Sequence, residues 1–274
     1  MTEVSRVPAD AQLLDALTSL ASRAAAAILG VARADLAVRE KPDRSPVTAA
    51  DLASETVILE GLGKLLPGVP IVSEETASRL SAPPLADFLL VDPLDGTREL
   101  LAGRDEFTVN IAFVQRGQPR IGVIAAPARG LVWRGIVGCG AERLALRPGA
   151  APENAGQPLA IRTRPQPPHA LVALVSRSHL DPATEAYLAR LKSAERISCG
   201  SSLKFCRLAE GAADLYPRLA PTSEWDVAAG HAVLAAAGGT VTDPKGAPLI
   251  YGRSKDFRIP AFIARGDRNL PVAL

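Results

Sequence analysis

Residues 91–100 read VDPLDGTREL, and two aspartates, Asp92 and Asp95, stand three apart in that stretch. They follow the apolar run Phe88-Leu89-Leu90-Val91, so a segment that belongs in a core ends in two carboxylates. Like charges in close contact raise each other's pKa or require a cation between them. Pro93 fixes its own φ and biases Asp92 toward extended backbone, and a tight turn here can aim both carboxylates and the Leu94 carbonyl to one side. Gly96 permits close backbone approach, while Thr97 offers a hydroxyl and an amide. Hard oxygen donors of this kind suit Mg2+, which keeps several waters and takes the rest of its shell from substrate phosphate. The same residues also make an ordinary Asp-Pro turn with an Asp-Gly step, so this stretch alone leaves both readings open.

Other acids stand where they could complete such a site. Glu74 and Glu75 close a short apolar segment, Asp51 opens a helical pattern three residues after Thr48, and Asp226 follows Trp225 in WDVAAGHAVLAAAGG. Taken singly, an acid at a helix start is commonly a cap, and Thr48 to Asp51 has the capping-box spacing.

The elements that must carry these residues follow from periodicity. Leu13, Leu17, Leu20, Ala24 and Ile28 recur every three or four residues and predict an amphipathic helix within the first thirty residues. A second helical pattern follows SPVTAAD, with Leu52, Thr56, Leu59 and Leu66 predicted to face inward, and residues 69–72 read as a short strand before a loop over 76–87. From residue 105 the period becomes two: Phe107, Val109, Ile111 and Phe113 alternate, and 120–126 and 131–137 follow turn residues, which predicts an antiparallel meander. Residues 148–158, PGAAPENAGQP, are the best linker candidate. Beyond them the pattern alternates: strand 170–175, helix 182–193, strand 195–198, helix 201–210, strand 212–216, helix 226–237 and strand 239–243. The expected organisation is an N-terminal α+β subdomain, 1–150, with an antiparallel sheet, and a C-terminal α/β subdomain, 151–274.

Composition narrows the function classes. With 47% apolar and 22% charged residues, the 274-residue chain can bury a sizeable core. A net charge of +2 and 4% aromatic residues argue against a nucleic-acid-tracking surface, and so against a non-catalytic nucleotide- or RNA-binding module. The sequence shows no uninterrupted apolar run of membrane-spanning length and no basic-then-apolar leader pattern. Cys139, Cys199 and Cys206 lack zinc spacing and suit a reducing cytoplasm as buried free thiols. Cys199 and Cys206 flank a predicted helix, with no activating motif beside either.

In chain order, SPVTAADLASETVILEGL, SEE, VDPLDGT, EFTVNIA, SRSH, GSSLKFCRLAEGAADLYPR and EWDVAAGHAV run from about residue 40 to residue 240. In these motifs the chain resembles the lithium-sensitive inositol monophosphatase-like superfamily of magnesium phosphatases. Within it, the resemblance is to the bacterial 3′(2′),5′-bisphosphate nucleotidase branch, the CysQ type. DPLDGT and the WD segment carry the superfamily; SRSH and GSSLKFC through YPR carry the branch. The fold this implies is α/β (α+β), a layered α-β-α-β-α sandwich of the inositol monophosphatase/fructose-1,6-bisphosphatase type.

Carried over position by position, the resemblance implies that Glu74, Asp92 and the Leu94 carbonyl hold one Mg2+, and that Asp92, Asp95 and Asp226 hold a second, with Asp92 bridging. The family's sites take two or three ions, and Li+ inhibits. Asp51 and Thr97 would orient and deprotonate the attacking water, with Glu74 assisting, in an in-line displacement between two metals. The Gly96 and Thr97 amides would bind the scissile phosphate, and His179, Ser201, Lys204 and Arg218 the phosphate that does not react. Ser201 begins a predicted helix, where free amides favour an anion, while Lys204 and Arg218 offer point-charge and forked contacts. Glu74, Leu94, Asp95 and Asp226 complete the implied substrate-contact set.

The implied reaction removes the 3′-phosphate of adenosine 3′,5′-bisphosphate to give AMP and phosphate, with 3′-phosphoadenylyl sulfate as a second substrate. An alternative keeps the metal site and changes the substrate to inositol phosphate or a sugar bisphosphate. Arg98 replaces the branch's usual Lys, and Glu99-Leu100 a more usual Glu-Phe, which touches base or sugar preference and leaves the metal chemistry intact. The implied partners are small molecules, with no nucleic acid and no integral membrane segment; the chain is expected to be a monomer or homodimer in the cytoplasm. Family analogy adds peripheral attachment to the inner membrane, for which the sequence offers no anchor or basic amphipathic helix.

Overall fold

Leu13, Leu17, Leu20, Ala24 and Ile28 are all buried along one face of the first helix, α1 (Asp10–Gly30), as their spacing requires. The structure, a computed structural model, describes residues 10–31, 35–41, 45–79, 87–167, 170–178, 180–191 and 194–271. A ribbon of β1 (Arg39–Glu40) and β2 (Pro46–Val47) leads into α2 (Ala49–Leu65). Then come β3 (Ile71–Ser73), β4 (Phe88–Asp95), the short α3 (Thr97–Leu101), β5 (Thr108–Gln115), β6 (Gln118–Ala126), β7 (Leu131–Ile136), β8 (Gly140–Ala145) and β9 (Leu159–Ile161). The seven strands β3 to β9 form one sheet in sequence order, antiparallel except for the parallel β3–β4 pair. Its last strand comes from beyond residue 150, where the sequence places the division between subdomains.

The remainder supplies β10 (Val172–Ser176), α4 (Pro182–Arg190), β11 (Glu195–Cys199), α5 (Leu203–Ala209), β12 (Leu215–Arg218), β13 (Thr222–Ser223), α6 (Glu224–Ala236), β14 (Thr240–Thr242), β15 (Arg258–Ile259) and β16 (Phe262–Arg265). A mixed five-stranded sheet runs β11-β10-β12-β16-β14, and β13 pairs with β15 apart from it. The predicted meander and the predicted alternation are both present. Strands β1, β2, β8, β9, β13, β15 and β16 escaped the sequence reading; all but the six-residue β8 have two to four residues, too few to show a period.

Layering follows from which face of each strand is apolar. Leu89, Val91, Val109, Ile111 and Phe113 pack on α1 and α2. On the other face of the same sheet, Phe88, Leu90, Ala112 and Val114 meet α5, α6 and one face of the five-stranded sheet. That sheet's far face, Ala173, Val175, Leu215 and Ile263, is covered by Tyr187, Leu188 and Leu191 at α4. Helix, sheet, helix, sheet, helix is the order the family resemblance implies. Helix α6 lies against the first sheet at Gly122, where a Cβ would fall 2.4 Å from the Ala229 carbonyl oxygen. Only glycine admits that approach, and it brings the N-terminus of α6 beside the end of β4.

The phase predicted for α2 is corrected. Its buried face is Ala50, Asp51, Ser54, Glu55, Ile58 and Leu62; Leu66, just past the helix, is buried as predicted, Leu59 is half-buried, but Leu52 is 47% exposed and Thr56 is exposed. Hydropathy alone favours the leucines. The polar residues go inward because each finds a partner there: Ser54 Oγ donates to the Pro93 carbonyl at 2.6 Å, and Ser73 Oγ to Glu55 Oε1 at 2.6 Å.

Candidate active site

Strand β4 does not stop at its two aspartates; it bulges. Asp92 pairs with Asn110 and Asp95 with Thr108, so three steps on β4 face two on β5. The extra residue re-aims the chain at Pro93-Leu94. Leu94 N donates to Asp92 Oδ1 at 3.0 Å, fixing the first carboxylate. Gly96 then takes φ +96, and a Cβ there would sit 3.0 Å from the Glu106 carbonyl oxygen. The turn therefore closes only with glycine, and it delivers Thr97 as the first residue of α3.

Asp51 meets Thr97 from the far side. Thr48 caps α2, and Asp51 Oδ2 accepts from Thr48 N at 2.8 Å and Thr48 Oγ1 at 2.6 Å. Its other oxygen, Oδ1, accepts from Thr97 Oγ1 at 3.0 Å, so the carboxylate serves the cap and the site at once. Glu74 extends the β3–β4 pairing, its amide donating to the Val91 carbonyl at 3.1 Å. Its Oε1 accepts from Lys41 Nζ at 2.7 Å, and the same ammonium reaches Glu75 Oε1 at 2.6 Å. Asp226 enters from α6, where Oδ2 accepts from Thr222 Oγ1 and from Ser223 N at 3.2 Å. Ser202 ties the ends together: its Oγ donates toward Asp95 Oδ2 at 2.9 Å, lies 3.1 Å from the Asp226 carbonyl oxygen, and accepts from Asn110 Nδ2 at 2.9 Å.

These carboxylates feel one another. Burial, then Glu74, Asp95 and Asp226, pushes the Asp92 carboxyl well above the usual range. Burial and Asp226 push Asp95 up to about 6, against Lys204 and Arg218. Glu74 is pushed up to about 7 by burial, with Asp226 and Glu75 adding to it and Lys41 opposing. Burial also raises Asp51, partly offset by the hydrogen bonds from Thr48 and Thr97. Among the described residues, no three acid, histidine or cysteine side chains already converge as a closed ligand set. Glu74 is drawn to Lys41, Asp95 to Ser202 and Asp226 to Thr222. The donor set nonetheless fits a hard divalent cation: four carboxylates and a carbonyl line one cleft, and the acids raise one another's pKa despite Lys41, Lys204 and Arg218 nearby. A bound divalent cation would relieve that repulsion.

The whole chain can be compared with known proteins on this basis. A profile of the inositol monophosphatase family matches residues 9–265. The chain belongs to that family. It is 42% identical over 259 residues to the 3′(2′),5′-bisphosphate nucleotidase CysQ of Escherichia coli K12, covering 91% of this chain and 98% of that protein. To the CysQ of Buchnera aphidicola it is 36% identical, covering 89% of each. Among solved structures, CysQ of Bacteroides thetaiotaomicron superposes with a TM-score of 0.79 at 35% identity, covering 96% of this chain and all of that one. Members of the inositol monophosphatase family are generally magnesium-dependent phosphatases.

Within this family member, one cleft of about 270 Å³ is lined by Glu74, Asp92, Leu94, Asp95, Gly96, Thr97 and Asp226, and equally by Ser201, Lys204 and Arg218. His179 lies outside the described residues. Ser201 is not in a helix: α5 starts at Leu203, and Ser201 itself takes φ +46 in the turn before it. The correction has a physical cause, since Gly200-Ser201-Ser202 must turn sharply to bring Ser202 onto Asp95. Lys204 is buried, its ammonium bonded to the Ser201 carbonyl at 2.6 Å and the Cys199 carbonyl at 3.2 Å, over the Tyr216 ring. Arg218 Nε is buried without a hydrogen-bond partner among the described residues, a donor left over beside the cleft. Sequence reasoning missed Lys41, Ser202 and Asn110. Each lies in or beside a quoted motif, but none has a residue type that announces a role. Cys199 and Cys206 are buried, and burial raises both thiols, so neither is poised for chemistry; Cys139, expected to be buried with them, is exposed.

Proposed function

We propose that the chain is a magnesium-dependent 3′(2′),5′-bisphosphate nucleotidase that converts adenosine 3′,5′-bisphosphate to AMP and phosphate and also accepts 3′-phosphoadenylyl sulfate. The observation that carries this reading is the single cleft in which a carboxylate cluster faces two cations, Lys204 and Arg218, one of them with a spare buried donor. A monophosphate needs only the first half of that cleft; a bisphosphate uses both. The identity to proteins named as bisphosphate nucleotidases supports the same substrate class.

In this reading Glu74, Asp92, the Leu94 carbonyl, Asp95 and Asp226 hold two or three Mg2+, and Li+ inhibits by entering the same donor set. When bound, the ions supply Lewis-acid stabilisation of the charge that builds on the phosphoryl oxygens. Thr97 donates its hydroxyl proton to Asp51, which leaves the Thr97 oxygen's lone pairs free to accept from an attacking water. Asp51 is an acceptor only, held by Thr48, and its raised affinity for a proton suits it to take, through the Thr97 hydroxyl, the one the water gives up; the departing ribose oxygen takes its proton from a second water. The Gly96 and Thr97 amides receive the scissile phosphate; His179, Ser201, Lys204 and Arg218 receive the other. We place the enzyme in the cytoplasm as a monomer or homodimer acting on small molecules. Helix α1 is long and apolar enough to cross a membrane, but its apolar face is part of the core beneath the first sheet.

The test is phosphate release by the purified protein in Mg2+, with adenosine 3′,5′-bisphosphate and inositol 1-phosphate compared at equal concentration. A large kcat/KM preference for the nucleotide, abolished by EDTA, is expected. Preference for inositol phosphate would discard the substrate assignment and leave the carboxylate site standing.

A further inference from the structure

Glu106 takes no part in the reaction as described, yet it is 7% exposed and accepts three hydrogen bonds from the other half of the molecule. It precedes β5, in the connection from α3. Arg177, just past β10, donates through Nε to Glu106 Oε2 at 2.7 Å and through Nη2 to Oε1 at 3.0 Å, a forked pair. The Gly200 amide donates to Oε2 at 2.9 Å. Arg177 is also tied to its own sheet, Nη2 donating to the Ser198 carbonyl at 2.9 Å. On the same seam Ser178 Oγ donates to Glu99 Oε1 at 2.5 Å. Gly200 is wedged between the two acids: a Cβ there would fall 2.9 Å from the Glu106 carbonyl oxygen and 3.0 Å from Glu99 Cγ.

What this seam joins gives it a consequence. Glu99 lies two residues after Thr97 in α3, beside the amides assigned to the reacting phosphate. Gly200 leads directly into Ser201 and Lys204, assigned to the phosphate that does not react. Burial opposes ionisation of Glu106, but Arg177 and the Gly200 amide outweigh it, so the link stays charged at neutral pH. Resting on the bisphosphate reading, we infer that Glu106 is a positioning residue that sets the spacing between the two phosphate sites and thereby makes the enzyme select substrates carrying both phosphates. A second tie, Ser202 to Asp95 and Asn110, holds the same turn from the metal side, so loss of Glu106 loosens the turn without detaching it.

The experiment compares adenosine 3′,5′-bisphosphate with adenosine 3′-monophosphate in the wild type, Glu106→Gln, Glu106→Ala and Arg177→Lys, with Tm recorded for each. Glu106→Gln keeps an oxygen for Gly200 but gives up the charge facing the Arg177 fork; Arg177→Lys keeps charge and loses the fork. In Glu106→Ala, KM for the bisphosphate is expected to rise about tenfold, the scale of one lost charge-assisted contact. Glu106→Gln and Arg177→Lys should fall between it and the wild type. In all three, kcat/KM on the monophosphate stays near wild type. Equal losses on both substrates, or no change on either, overturn the inference, and Arg177→Lys decides it alone if Glu106→Ala does not fold. A wild type indifferent to the second phosphate refutes the bisphosphate reading itself, and with it the role of Glu106. A wild-type preference that survives every variant refutes only the role of Glu106.

Discussion

Asp51→Asn separates the two jobs that one buried carboxylate does here. Asp51 is 2% exposed and accepts three hydrogen bonds, two from Thr48 at the start of α2 and one from Thr97. Asparagine keeps an oxygen for the Thr48 amide, so the cap survives with weaker, uncharged bonds. The loss is about 1 kcal/mol, or roughly 2–4 °C in Tm for a protein of this size. Asparagine also removes the desolvation cost that burial imposes on the charge, which makes this an upper limit. At the other oxygen the change is qualitative: an amide NH2 facing Thr97 reverses the hydrogen bond and cannot take a proton. General-base assistance is worth about 10²–10⁴ in rate, so kcat on adenosine 3′,5′-bisphosphate should fall by that factor. KM should move little, because Asp51 holds no phosphate. Steady-state kinetics with saturating Mg2+, beside a thermal melt, reads both quantities. A kcat close to wild type together with a Tm drop of the size of a lost cap would make Asp51 a helix cap and nothing more.

Lys204→Ala and Arg218→Ala should each raise KM for adenosine 3′,5′-bisphosphate far more than for a nucleoside monophosphate; equal effects on both would remove these residues from the second-phosphate site. Gly96→Ala forces a side chain onto φ +96 and against the Glu106 carbonyl, so it should lower both Tm and kcat, while an unperturbed Tm and kcat would show that the turn tolerates a Cβ. The carboxylate cluster also sets a pH dependence. Glu74 rises from 4.5 to about 7 and Asp95 from 3.8 to about 6. A folded pKa above the unfolded one stabilises below the unfolded value, and that contribution is lost as pH rises through the folded value. Without metal, the cluster's share of stability is therefore lost between about pH 4 and pH 7, and Mg2+, which competes with those protons, stabilises more as pH rises through that window. The gap in Tm between Mg2+ and EDTA should widen across that range; a gap independent of pH would mean the ions bind elsewhere.

Much of this site was legible because its chemistry sits in contiguous motifs. VDPLDGT contains the strand end, the glycine turn and the first residue of α3 in one stretch; local rules for proline and glycine place the turn, while the choice between a metal site and an ordinary turn came from the family resemblance and not from those rules. The first three strands of the meander were legible from period two, since they are six to nine residues long; the fourth, β8, was not predicted although it has six residues. The phase of α2 was not, because its inward face is polar and is decided by partners on β3 and β4 that no local pattern reveals. Lys41 and Ser202 were missed for the same reason: their roles exist only after the chain brings residues 41 and 74, or 95 and 202, together. Ser201 reads as helical by pattern, and its left-handed backbone belongs to the turn that brings Ser202 onto Asp95.

Divalent-ion binding to the carboxylate cluster is the claim on which everything else rests, and Mn2+ titration followed by electron paramagnetic resonance reads it without turnover. In the presence of AMP and phosphate, the wild type should bind more than one Mn2+. Asp92→Asn should bind fewer Mn2+ than the wild type while keeping its Tm in EDTA. Undiminished Mn2+ binding by Asp92→Asn would contradict the assignment of the cluster as the metal centre.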